Sequence, residues 1–228
     1  MTTTTTTLPA SRHQRAEVDR LPGILITIDG PGGVGKSTTA ALVAKALEDR
    51  AIPVHPTVEP TRTPLGEHIR ASTDTYRGMA LACLVAGDRH HHLAAEIIPA
   101  LRAGKVVVCD RYLPSSLVLQ RLDGIDPEMI WRLNAGAYVP DVAVLLHADF
   151  PVIADRLRAR GAHSRFERQP GGSRAESDLY HRTAAGLRAA SWPVMALDCT
   201  IRRPETIAMS IAIPVLHTYR ERSQACPS

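Results

Sequence analysis

No stretch of this chain approaches the roughly 20 apolar residues that a membrane-crossing helix needs, which argues against an integral membrane protein. The apolar core of a secretory signal is also missing. Met1 to Thr7 is a threonine run, and the charged segment Ser11 to Arg20 follows it. Cysteine is scarce: Cys83, Cys109, Cys199 and Cys226 fall at no metal-ligand or redox spacing. Buried free thiols are therefore expected, which fits a reducing, cytoplasmic compartment. Lysine is scarcer still, with only Lys36, Lys45 and Lys105, so basic charge rests on arginine. A long basic stripe is absent as well. Instead, seven arginines between Arg156 and Arg182 stand against Glu167, Glu176 and Asp178, an excess equal to the chain's net charge of +4. A local excess of that kind suits a small anion better than a nucleic-acid polymer.

What the chain does have is alternation. Five short runs rich in Val, Ile and Leu read as buried parallel strands: Ile24–Asp29, 53–58, Val106–Asp110, Val142–His147 and Val194–Asp198. Segments of helical spacing separate them, at about 36–50, 76–103, 114–122, 127–137, 151–160, 177–190 and 204–217, several with proline in the first turn. This order predicts an α/β fold, a doubly wound parallel sheet whose ligands bind beyond the carboxyl ends of the strands. Residues 1–20 are expected to be a disordered leader and 223–228 a disordered tail, around one domain at 21–222. Four strands end in or just before an acid, Asp29, Glu59, Asp110 and Asp198, of which Asp29 and Asp110 are assigned to the site.

The strongest signal is Gly30-Pro31-Gly32-Gly33-Val34-Gly35-Lys36-Ser37, which matches G-x-x-x-x-G-K-[ST] between a strand and a helix. Glycines there let backbone N–H groups turn toward phosphate oxygens, and the helix that opens at Lys36 and runs through Thr38 presents its positive end. The motif predicts ATP as ligand. Lys36 would reach the β- and γ-phosphates, and Ser37 would hold Mg²⁺. A second signal is Val106 to Tyr112. An apolar strand ending in Asp110 places a magnesium-organising carboxylate, and the fork of Arg111 beside it suits a phosphate. His90-His91-His92 reads as a polar helix face, because adjacent helical residues point about 100° apart and cannot converge on one ion.

With Asp110-Arg111-Tyr112 in view, the chain resembles the thymidylate kinase family. The landmarks, in order, are the phosphate loop, Glu59-Pro60-Thr61-Arg62-Thr63-Pro64-Leu65-Gly66-Glu67, Asp88-Arg89, and Asp110-Arg111-Tyr112-Leu113-Pro114-Ser115-Ser116. Arg165-Phe166-Glu167, after Arg156 and Arg160, is similar to the family's lid, here about 156–178. The resemblance implies a three-layer P-loop NTPase fold with a five-stranded parallel sheet, and transfer of the γ-phosphate of ATP to a nucleoside monophosphate, foremost dTMP to dTDP. It implies that Arg111 holds the acceptor phosphate and Arg89 the base, with Ser115 and Ser116 lining the pocket. Arg156, Arg160 and Arg165 would meet the transition-state charge. The family is usually dimeric, so a homodimer is a further expectation.

Four positions depart from the pattern, all toward the acceptor. Gly32 stands where the family has an acid, Val58 where it has an arginine (Arg62 being a substitute four residues on), and Val85 and Leu119 where it has aromatic rings. These changes keep open a modified or ribose-bearing nucleotide as acceptor. A nucleoside kinase using Glu59 or Asp29 as base, and an ATP-binding regulator, are the other readings.

Overall fold

Ile24–Asp29 (β1) is buried at every one of its six residues and forms the centre of the sheet. In the computed structural model, which describes residues 21–161, 165–168 and 172–225, β1 pairs in parallel with Val106–Asp110 (β3) and Val142–His147 (β4). Val54–Val58 (β2) joins β3, and Val194–Asp198 (β5) joins β4. The five strands lie in the order β2-β3-β1-β4-β5. All five expected strands are present, with β2 starting one residue later than expected. Pro56 inside β2 is tolerated because β2 is an edge strand, where a missing N–H leaves no ladder bond unmade.

Side chains alternate across the pleat and feed two cores. Ile24, Ile26, Ile28, Val106 and Val108 meet Lys36–Glu48 (α1) and the last helix, Pro204–Ala225 (α10). Leu25, Val107 and Cys109 meet the opposite layer. That layer holds Gly78–His92 (α3, preceded by Pro64–Ala71, α2), Ile98–Arg102 (α4), Leu113–Leu122 (α5), Pro127–Leu133 (α6) and Gly172–Ala189 (α9). Phe150–Arg160 (α7) and Arg165–Arg168 (α8) lie between β4 and α9 in the chain.

Several boundaries differ from expectation. The helix expected over 76–103 is interrupted by a π turn at Leu93–Ile97, which separates α3 from α4. Helix α2 was not anticipated, although Thr63 caps it through Gly66 N and Pro64 supplies its first turn. Helix α9 begins at Gly172 rather than Ser177. Helix α10 continues to Ala225, so 223–225 are helical rather than part of a tail. The expected leader (1–20), Cys226 and the residues after Ala225 lie outside the described residues, as do 162–164 and 169–171 of the expected lid. Cys109 and Cys199 are buried free thiols, but Cys83 is exposed on α3. Among the described residues, no helix is long and apolar enough to cross a membrane.

Candidate active site

The loop from β1 to α1 turns on three glycines with positive φ, Gly30 (149°), Gly33 (78°) and Gly35 (104°), a backbone that other residues rarely adopt. Lys36 opens α1 and donates from Nζ to Pro31 O at 2.8 Å, inside the loop it follows. Burial, then the charge of Arg111, lowers its pKa to about 7. Ser37 donates to Asp110 Oδ2 at 2.5 Å. The other carboxylate oxygen, Asp110 Oδ1, is buried with no hydrogen-bond partner.

Two cavities meet at this point. One, of about 710 Å³, runs from residues 33–39 past Arg156 and Arg160 to Cys199, Arg202, Pro204 and Ile207. Arg156 reaches across it, donating to Val34 O (3.2 Å) and Cys199 O (3.1 Å). The other, of about 430 Å³, is lined by Glu59, Arg62, Arg89, Ser115, Ser116 and Leu119, with Val58 and Val85 also in its wall. Ser37, Arg111 and Arg160 belong to both cavities. Arg111 follows β3 with φ at +72°, a left-handed backbone that costs an L-residue about 1–2 kcal/mol. Its Nη1 is buried without a partner.

The remaining candidates are placed unevenly. Arg89 and Glu59 are each only 2% exposed and form an ion pair at 2.8 Å. Arg89 also donates to Asn134 Oδ1 (2.6 Å) and Ser116 Oγ (3.0 Å), so its guanidinium is largely engaged within the wall. His92 is buried and bridges Glu59 and Thr57, which corrects its reading as part of a polar face. Of three adjacent helical residues, the fan of directions turned this one inward. Asp29 does not line either cavity. It accepts from Tyr112 N (2.9 Å), Ser115 N (3.0 Å) and Ser115 Oγ (2.6 Å), tying the loop that carries Arg111 to the end of β1. Burial pushes its carboxyl above the usual range. Arg62 is 74% exposed and pairs with Glu67. Arg165 lies in neither cavity; it pairs with Asp123 and stacks on Phe166 at 4.2 Å. Asp198 is exposed at the far edge of the sheet, where Thr200 caps it.

Residues 28–179 match the family model for thymidylate kinase. The chain belongs to the thymidylate kinase family. A probable thymidylate kinase of Caldivirga maquilingensis is 35% identical over 176 residues, covering 75% of this chain and 84% of that protein. A probable thymidylate kinase of Pyrococcus abyssi is 38% identical over 156 residues, 64% of this chain and 75% of that protein. A thymidylate kinase of Xanthomonas oryzae is 41% identical over 150 residues, 64% and 66% of the two chains. The match begins within β1 and ends within α9, so it takes in the phosphate loop, Arg89, Arg111 and the arginines between α7 and α9.

Three groups lie outside the sequence-predicted site, and a fourth, Phe166, was expected only as part of the lid. Gln120 lines the second cavity with Oε1 buried and unpartnered. Phe166 brings a ring to the same wall. Glu176 and Tyr180, one turn apart on α9, are both buried and face inward, with Tyr180 Oη 3.0 Å from Ser115 Oγ. A helical stripe at four-residue spacing was the available signal, but it lay in a segment whose first turns were read as lid.

Proposed function

We propose that this protein transfers the γ-phosphate of MgATP to dTMP, giving dTDP. The observation that carries this reading is the junction of the two cavities at Ser37, Arg111 and Arg160, a phosphate loop on one side and a polar pocket on the other. In this reading the backbone N–H groups of residues 32–38 hold the triphosphate and Lys36 meets its outer phosphates. The unpartnered Nη1 of Arg111 supplies a donor for the acceptor phosphate. Arg156 and Arg160 stand over the donor side, while Arg165 would have to leave Asp123 to join them. Arg89 and Ser116 offer their remaining capacity to the base.

The donor set fits a hard divalent cation. Ser37 Oγ lies beside Asp110, whose second oxygen is buried and free of hydrogen bonds, and both are oxygen ligands of the kind Mg²⁺ takes. A bound Mg²⁺ would neutralise charge on the β- and γ-phosphate oxygens.

A phosphate monoester has a second pKa of about 6, so the acceptor is already a dianion and needs no general base. A free nucleoside would need one. Glu59 is committed to Arg89 and His92, and Asp29 lines neither cavity, which disfavours that alternative. The test is an ADP-release assay with ATP and Mg²⁺ against a panel of nucleoside monophosphates and nucleosides. Rapid turnover of dTMP is expected. Failure with dTMP, or turnover of nucleosides alone, would overturn the reading.

A further inference from the structure

Glu176 is 2% exposed, yet its carboxylate belongs to neither cavity. It sits over the tip of the phosphate loop, where Gly32 N–H lies 3.3 Å from both of its oxygens. Among the described residues it makes no other hydrogen bond. The cations that act on it most strongly are Lys36 and Arg111, and Glu167 is a like charge nearby. Burial pushes its carboxyl above the usual range against the pull of those cations. A Cβ built on Gly32 would meet Glu167 Oε1 at 2.2 Å, so Glu167 also closes onto this loop glycine.

A carboxylate on a phosphate-loop amide, in the field of the two cations assigned to the phosphates, takes a position suited to phosphate. The geometry points to Glu176 as an internal competitor: its carboxylate and the nucleotide's outer phosphate contend for the Gly32 amide and for Lys36 and Arg111, so Glu176 sets how tightly the donor nucleotide binds. This rests on the MgATP reading above. Two anions cannot share that corner at low cost. Like charges held a few ångströms apart repel even when partly screened. Nucleotide binding must therefore move Glu176 off Gly32, and α9 with its buried Tyr180 is the element that carries it.

The test is calorimetric binding of MgATP to wild type and to Glu176→Gln, which keeps the size and removes the charge. The variant is expected to bind MgATP roughly tenfold more tightly. Without nucleotide it should melt at or above the wild-type temperature, because burial outweighs the pull of Lys36 and Arg111 on the charged carboxylate. Glu176→Asp keeps the charge but withdraws it by one methylene. It should shift affinity in the same direction by less, and it serves if the glutamine variant folds poorly. Equal or weaker MgATP binding by the variants would overturn the proposal while leaving the kinase reading intact. Failure of the wild type itself to take up MgATP would instead sink the kinase reading.

Discussion

Lys36 and Arg111 are two cations buried in one cleft, and after burial itself the charge of Arg111 is what most depresses the lysine, to about 7. A bound triphosphate favours the charged ammonium and raises that value again. Binding of MgATP above about pH 7 therefore takes up a proton. Affinity should be greatest below about pH 7 and weaken by up to tenfold per unit as pH rises past it. Lys36→Arg stays charged throughout and should flatten the profile. Calorimetry from about pH 6 to about pH 9 on both proteins checks this; matching slopes would refute the assignment.

The left-handed backbone of Arg111 gives a second prediction. Alanine normally stabilises relative to glycine, but at φ of +72° the order should reverse. Arg111→Gly is expected to exceed Arg111→Ala in unfolding free energy by about 1 kcal/mol in urea titrations. Both should lose about a thousandfold in kcat/KM for the acceptor.

Gln120 presents a buried, unpartnered amide oxygen to the second cavity. A buried acceptor without a partner costs about 1–3 kcal/mol, which a donor on the acceptor base would recover. Gln120→Leu should therefore raise KM for dTMP by about tenfold or more and leave KM for ATP unchanged. Stability should hold or rise. A rise in both KM values would point to distortion of the cleft instead.

Glu59 is the counterion of Arg89 and also engages His92, all of them buried. Removing one partner of such a pair strands the other's charge, at about 3–5 kcal/mol. Glu59→Ala is expected to lose that much stability in denaturant titration, whereas an exposed pair such as Lys45–Asp49 should lose under about 1 kcal/mol when broken.

Much of the architecture was legible in the residues. Apolar runs marked the strands because a sheet covered on both faces demands them, and proline marked the first turns of α5, α6, α7 and α10. The phosphate loop was legible from its spacing alone. Helix α2 is masked in the sequence because its residues coincide with the Glu59–Glu67 motif, and the π turn at Leu93–Ile97 has no mark in composition. Within the site, Asp29 reads as a ligand group from its place at a strand end, yet its bonds to Tyr112 and Ser115 make it a brace for the Arg111 loop. Arg165 carried the lid signal, but its partner, Asp123, lies 42 residues earlier in the chain.

By itself the sequence determined the strand–helix alternation, the phosphate-binding turn and the family, because each depends on local spacing and on chemistry carried by neighbouring residues. The tertiary structure alone decided which of several similar side chains face the cleft. Asp178 is exposed and Glu176 buried, two residues apart on one helix, and Gly32 lies 144 residues before the acid that reaches it. Such a meeting depends on the angle at which α9 crosses the sheet, which packing over the core beneath it settles and no short stretch of chain encodes.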